Sequence, residues 1–256
     1  MHTVLVENMS WPEFEEAMQG SDLVIVPVGS TEQHGFHNPL GTDTKIAYHC
    51  ASMIGAKAEA PVLPAIPFGH AEGIKGFPGT LTLDTMLMRD FLFAYAENYV
   101  KHGARRFLFV SGHGGNKDAI ELAMEDLHQA YGCVSFANEW WTTLPHLNEE
   151  WPCDDHGGHF ETSMMMAVDE SIIEKDQMQW METIKLTENL ERGSFRGVKI
   201  SLPIPLEQIN YMGNTGNPPM TASKSLGQEM METYVDFNVR LVAAMRELPL
   251  SNPQDG

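Results

Sequence analysis

Cysteine is scarce in this chain: of 256 residues only Cys50, Cys133 and Cys153 are cysteines, an odd number with no C-x-x-C pair. That argues against a disulfide framework and against a thiolate zinc site, and it points to the cytoplasm. Positive charge is scarce as well. The 16 Lys and Arg residues stand against 35 Asp and Glu, a formal charge of −19 that repels a phosphate backbone and an anionic membrane surface, so neither nucleic acid nor membrane is an expected partner. No apolar run approaches the ~18 residues needed to span a bilayer. The opening MHTVLVENMSWPEF carries an acid early and lacks the basic-then-apolar pattern of a signal peptide. Internal repeats and low-complexity segments are missing too. A chain of this length fits a single α/β domain with a sizeable core.

What the chain does have is concentrated between Val24 and Asp43, VIVPVGSTEQHGFHNPLGTD. The first residues form a short, largely β-branched run of the kind buried on both faces of a sheet, and it breaks at Gly29. Glu32, His34, His37 and Asp43 follow, a mixture of carboxylate and imidazole that suits Zn²⁺ or Mn²⁺ better than Ca²⁺ or Mg²⁺. In an extended segment residues i and i+2 point the same way, so Glu32 and His34 can reach one point. Gly35 and Gly41 give the loop the freedom to bring Asp43 back beside them.

Along the rest of the chain, Ser10-Trp11-Pro12-Glu13 reads as a capping box opening a helix that stops near Gly20. A helix over 44–54 with Gly55 as its C-cap is expected next, then a strand over 59–66 interrupted by Pro61 and Pro64. Asp84 is placed to cap a helix whose Leu87, Phe91, Ala94, Tyr95 and Asn98 form the core side. A strand over 106–110 breaks into SGHGGN, with Asn116 capping a helix that buries Ile120, Ala123, Met124, Leu127, Ala130 and Tyr131. A strand over 133–137 runs into Glu139-Trp140-Trp141, and HGGHFETS enters a helix whose Met164 and Met165 are core filler. Gly and Pro between 169 and 219 suggest loops and short strands over the site. A last helix starts from Thr221, with SNPQDG as a frayed tail. Three strand ends carry His, Glu or Trp, and in open α/β sheets ligands collect outside the carboxyl ends of strands.

Glu32, His34, Asp43, His113 and Glu161 together supply three carboxylates and two imidazoles, enough for two ions bridged by one carboxylate. A structural zinc closes with four ligands, so this set reads as catalytic. PVGSTEQHG with GTD, FPGT, SGHGGN, HGGHFETS, the SW-x-E opening and TGNPPMTASKSLG together resemble the creatininase (creatinine amidohydrolase) family over nearly the whole chain. The resemblance implies one three-layer α/β domain over 1–256 with a mainly parallel sheet, a binuclear Zn²⁺/Mn²⁺ centre and a homohexamer. It implies hydrolysis of a C–N bond in a small cyclic amide or formamide, with creatinine one candidate that the altered lid position disfavours. Glu32, His34, Asp43 and His113 stand at the family's ligand positions, Asp43 as the bridge, and His156 at that of its proton shuttle.

Two positions depart from the family. Gly115 replaces a ligand glutamate, which leaves Glu161 as the fifth ligand, and Cys153 stands where a lid tryptophan closes the pocket, with Trp151 two residues earlier. Substrate contacts are expected from Gly114, Trp141 and Asp154. His37 and His159 are expected to orient ligands, while His70, His102, His128 and His146 read as ordinary histidines. Two other functions fit the same residues: opening of a polyol-derived cyclic ketone at the same centre, and a metal-dependent maturation protein without turnover.

Overall fold

The computed structural model describes residues 3–191 and 193–250, so the expected tail at 251–256 falls outside the described residues. The capping box forms as expected, Glu13 accepting the Ser10 N–H at 2.7 Å at the start of α1 (Trp11–Gly20). Three strands make the centre: β1 (Leu23–Val28), β2 (Arg106–Ser111) and β3 (Val134–Glu139) pair in parallel in that order. All of β1 and β2 is buried, whereas β3 is half-buried at the sheet edge. The two fully buried strands are the unbroken apolar runs, as a covered parallel sheet requires.

Side chains alternate between two cores along each strand. Leu23, Ile25, Leu108 and Val110 face one layer, made by α2 (Thr42–Ala58), α5 (Trp140–Leu147), α6 (His159–Asp169) and α7 (Lys224–Glu247). Val24, Val26, Val28, Phe107 and Phe109 face the other, made by α3 (Thr85–Val100) and α4 (Lys117–Tyr131). The result is a three-layer α/β sandwich, each buried large apolar side chain contributing roughly 1.5–3 kcal/mol by leaving water. Met164 and Met165 are fully buried where α6 meets α7. The crossing is close: a Cβ on Gly227 would lie 1.8 Å from the Ser163 carbonyl oxygen. Among the described residues no helix is long and apolar enough to cross a membrane.

Several local expectations are corrected. The second helix begins at Thr42, so Asp43 sits in its first turn rather than on the loop, and it runs through Gly55 to Ala58. Gly55 serves close packing instead of capping, since a Cβ there would meet Val62 Cγ2 at 2.3 Å. Among the described residues, 59–66 make only isolated parallel bridges, Val62 to Ile25 and to Leu5 and Ile66 to Val28, because Pro61 and Pro64 bring no N–H to a ladder. Helix α3 buries Met88, Leu92, Ala96 and Val100, while Leu87 and Phe91 of the expected core face are 56% and 40% exposed. Both sides of α3 are apolar, so periodicity could not choose between them. Asn116 stands at the N-cap position of α4 but its side chain makes no capping bond there, and Thr221 does not start α7, where Ser223 accepts the Leu226 N–H. Ala130 of α4 is exposed, and Met124 and Tyr131 are half-buried.

Between 169 and 219 the described residues fold as short turns and a small antiparallel sheet of β4 (Leu190–Glu191), β5 (Ser194–Phe195) and β6 (Val198–Lys199). Leu206 and Ile209 of this cover pack on Ala71 and Ile74, which ties it to the mouth of the site.

Candidate functional site

The carboxyl ends of β1 and β2 both end in glycine, and the first turn of α2 lies directly on them. A Cβ on Gly29 would be 2.3 Å from Thr44 Cα, and one on Gly112 would be 2.1 Å from the Asp43 carbonyl oxygen. This contact carries Asp43 between the histidines of two loops. Its Oδ1 lies 2.8 Å from His34 Nε2 and its Oδ2 3.3 Å from His113 Nδ1. Glu32 Oε2 lies 3.0 Å from His113 Nδ1, and Glu161 Oε1 3.5 Å from His34 Nε2. Glu32, His34, Asp43 and Glu161 are all 5% exposed or less.

Backbone carbonyls fix which nitrogen of each ring faces inward. His34 Nδ1 donates to the Glu32 carbonyl at 3.1 Å and His113 Nε2 to the His70 carbonyl at 3.0 Å, so the opposite nitrogens turn to the carboxylates. Ser30 Oγ donates to Glu32 Oε2 at 2.7 Å and the Gly157 N–H to Glu161 Oε2 at 2.6 Å. Three overlapping sets could each hold an ion: Glu32, Asp43 and His113; His34, Asp43 and Glu161; and Glu32, His34 and His156. His34 Nε2 and Asp43 Oδ2 are buried with no hydrogen-bond partner among the described residues. Buried polar atoms without a partner cost free energy, and both point where a cation would satisfy them. The residues present therefore fit divalent metal.

Electrostatics give the same picture. Burial opposes charge on His34 and His113, yet the adjacent carboxylates raise both pKa values well above the ordinary 6.5. Burial likewise opposes ionisation of Asp43 and Glu161, and the histidines nevertheless hold both carboxyls below the usual range. His156 lies against this cluster, its ring centroid 4.4 Å from that of His34 and its Nδ1 3.9 Å from Glu32 Oε1 and from Glu161 Oε2. Burial and the His34 charge lower its pKa.

A cavity of about 390 Å³ opens onto the cluster. Of the expected substrate residues, Gly114 and Trp141 line it, with Trp141 Cζ2 3.7 Å from the position of a Gly114 Cβ. Asp154 is not among the lining residues; it is exposed and accepts from Asn217 Nδ2 at 3.1 Å. Its neighbour Asp155 takes the wall position, accepting the Phe160 and Glu161 N–H groups at 2.7 and 3.2 Å, and burial lifts its pKa to about 7. His37 turns away from the cluster to Thr162 Oγ1 at 2.9 Å, and burial lowers its pKa to about 4. His159 pairs with Thr221 Oγ1 at 2.9 Å. Trp151 and Cys153 are packed in the core rather than over the pocket.

A Cβ on Gly115 would lie 2.0 Å from the His70 carbonyl oxygen, so the carbonyl that holds His113 occupies the space a side chain would need. His70 had read as an ordinary histidine, yet it lines the cavity and its backbone orients His113. No spacing signal reveals it, because the contact joins loops 43 residues apart.

Residues 7–242 match the model of the Creatininase family, described as creatinine amidohydrolase. The chain is 32% identical over 225 residues to the mycofactocin precursor peptide peptidase of Mycolicibacterium smegmatis, covering 84% of this chain and 81% of that protein. It is 28% identical over 199 residues to the creatinine amidohydrolase of Pseudomonas putida, covering 69% and 76%. A solved mutant creatininase of Zn-Zn type superposes with a TM-score of 0.78 at 23% identity, over 96% of this chain and 99% of that one.

Proposed function

The chain belongs to the creatininase family, hydrolases of carbon–nitrogen bonds, and on that premise we propose that it hydrolyses a small cyclic amide or formamide at a binuclear Zn²⁺ or Mn²⁺ centre. The observation that carries the reading is Asp43, whose two carboxylate oxygens face two different histidines from a buried position. Glu32, Asp43 and His113 would hold one ion, and His34, Asp43 and Glu161 the other. Two such ions, when bound, polarise a carbonyl and bring the pKa of a shared water towards ~7.

The chain's own residues supply the proton path. His156 Nε2 lies 2.8 Å from the Gln33 carbonyl oxygen and 2.9 Å from Gln33 Nε2. The Gln33 amide is itself held, accepting the Gly35 N–H at 3.0 Å and donating to the Gly213 carbonyl at 2.8 Å. Whichever nitrogen of the imidazole carries the proton, Nε2 keeps a partner: it donates to the carbonyl or accepts from the amide. Nδ1 can therefore take up or deliver a proton beside Glu32 and Glu161 without the ring turning, which suits a shuttle to the leaving nitrogen. Gly114 and Trp141 would bound the substrate, with Asp154 reached only by a longer one. The exposed apolar row of Leu87 and Phe91 on α3 supports a homo-oligomer, a hexamer by family, and the three free cysteines support a cytoplasmic setting. We assign 1–256 to one domain.

Elemental analysis of protein saturated with Zn²⁺ or Mn²⁺ tests the centre. About two equivalents are expected on the two-ion reading, none in Asp43→Ala and about one in Glu161→Ala. A reproducible single equivalent in the wild type removes the bridge, and wild-type content in Glu161→Ala removes that ligand.

A further inference from the structure

Beyond the carboxylate–histidine cluster the cavity has a second chemical character. No Lys or Arg lines it, whereas Glu32, Glu72, Asp155 and Glu161 do. Glu32 and Glu161 are engaged with the cluster, and both Asp155 oxygens are taken by backbone N–H groups. That leaves Glu72 as the wall carboxylate free to meet a ligand. It lies in the short turn Glu72–Ile74, and its ion pair is with Lys75, both side chains being more than half exposed. Such an exposed pair is weak and exchanges readily for another cation.

His70, two residues earlier, is held everywhere except at one atom. Its Nδ1 donates to the Leu83 carbonyl at 2.8 Å, its N–H donates to Asn116 Oδ1 at 3.1 Å, and its carbonyl accepts from His113. With the proton on Nδ1, Nε2 keeps its lone pair, and no hydrogen bond among the described residues engages it. The same cavity offers Trp141, a half-buried aromatic ring of the kind that attracts a cation through its π face. A ring nitrogen that no described hydrogen bond engages, a carboxylate and an indole together suit a protonated nitrogen. An anionic ligand would find none of them favourable, in a chain of net charge −19.

Taking the cavity as the hydrolytic site, we propose that its wall beyond the metal centre is a subsite for a protonated amine or guanidine carried by the substrate away from the scissile bond, with His70 and Glu72 setting that specificity. The test titrates zinc-loaded protein with three amides of similar length, 4-guanidinobutyramide, valeramide and succinamate, following intrinsic tryptophan fluorescence, to which Trp140 and Trp141 of the cavity contribute. The cationic amide should bind tightest and the anionic one weakest, by about tenfold between the extremes at low salt, the gap narrowing at high salt. Glu72→Gln, on an exposed turn, should cut that gap to about threefold or less, and His70→Ala should weaken the guanidino amide more than valeramide. Equal affinities, a tighter anion, binding of none of the three, or an unchanged gap in Glu72→Gln would overturn the subsite. Zinc content of the same samples and a repeat on chelated protein separate the two readings: loss of the metal stoichiometry sinks the hydrolytic centre, while the charge order is still read in the metal-free protein.

Discussion

Gly112→Ala is the substitution that most directly tests how the fold builds the site. Gly112 follows β2, donates its N–H to the Val28 carbonyl at 2.8 Å, and abuts the backbone of α2, so an added methyl would stand 2.1 Å from the Asp43 oxygen and 2.8 Å from its carbonyl carbon. Contacts of this kind are essentially never shorter than 3.0 Å, so strand end and helix must part by about 0.9 Å. Backbone cannot rotate away as a side-chain tip would. Overpacking of this sort costs about 1–3 kcal/mol, which for a chain of this size lowers Tm by about 2–12 °C. The displacement falls on the residue whose oxygens reach His34 and His113, and ligand distances tolerate only about 0.2 Å. Calorimetry of the chelated protein should show the packing cost. Zinc analysis should show about one equivalent or less. Gly20→Ala, with nothing within 4 Å of its added Cβ, is the control and should change neither. Two full equivalents of zinc and a Tm within about 1 °C of wild type in Gly112→Ala would refute the claim that this glycine exists to seat Asp43.

Three further outcomes are expected. His156→Ala should keep both ions and the fold while kcat on a substrate turned over by the wild type falls by about 10²- to 10⁴-fold; an undiminished rate would remove it as the shuttle. Gly115→Glu, which restores the family's glutamate, should destabilise the protein and weaken metal binding, because its Cβ would collide with the His70 carbonyl; a gain in zinc affinity would show that the loop yields. The raised pKa values of His34 and His113 predict that their ion pairs stabilise the chelated protein fully below about 6.5 and are lost as pH rises through the raised values, whereas those of Asp43 and Glu161 are lost on acidification. Chelated protein should therefore lose Tm towards alkaline pH while zinc affinity climbs, as the ions no longer compete with protons, and a flat pair of profiles would contradict this.

The buried strands and the residues that collect at their ends were legible because each rests on a local signal. An unbroken β-branched run ending in glycine reads as a strand entering a loop, and Glu32 with His34 shows the i, i+2 spacing that aims two side chains together. The outward face of α3 was not legible, since Leu87 and Phe91 are as apolar as Met88 and Leu92, and the sheet's position alone decides which row is buried. Nor was the role of His70, which acts through its carbonyl and through one nitrogen left over by Leu83. Asp154 and Asp155 are chemically the same residue in adjacent places. Only the N–H groups of Phe160 and Glu161, delivered by the start of α6, distinguish which of them turns inward.

The proposed replacement of a glutamate at 115 by Glu161 draws support from the same geometry. His113 needs an acceptor for its Nε2 proton if its Nδ1 is to face Glu32 and Asp43, and the His70 carbonyl supplies it from the space above Gly115. A side chain at 115 and that carbonyl cannot both be present. The His34 side of the cluster must then receive its carboxylate from elsewhere, and α6 offers one already oriented: the Gly157 N–H holds Glu161 Oε2, leaving Oε1 towards His34, and Asp155 fixes the helix end that carries it. Gly157, at φ +60 with a Cβ position 2.8 Å from the His34 carbonyl, can be no other residue without strain. The glycines at 115 and 157 thus belong to one arrangement, in which the orienting carbonyl on one side and the carboxylate on the other are each placed by backbone that approaches too closely for any side chain.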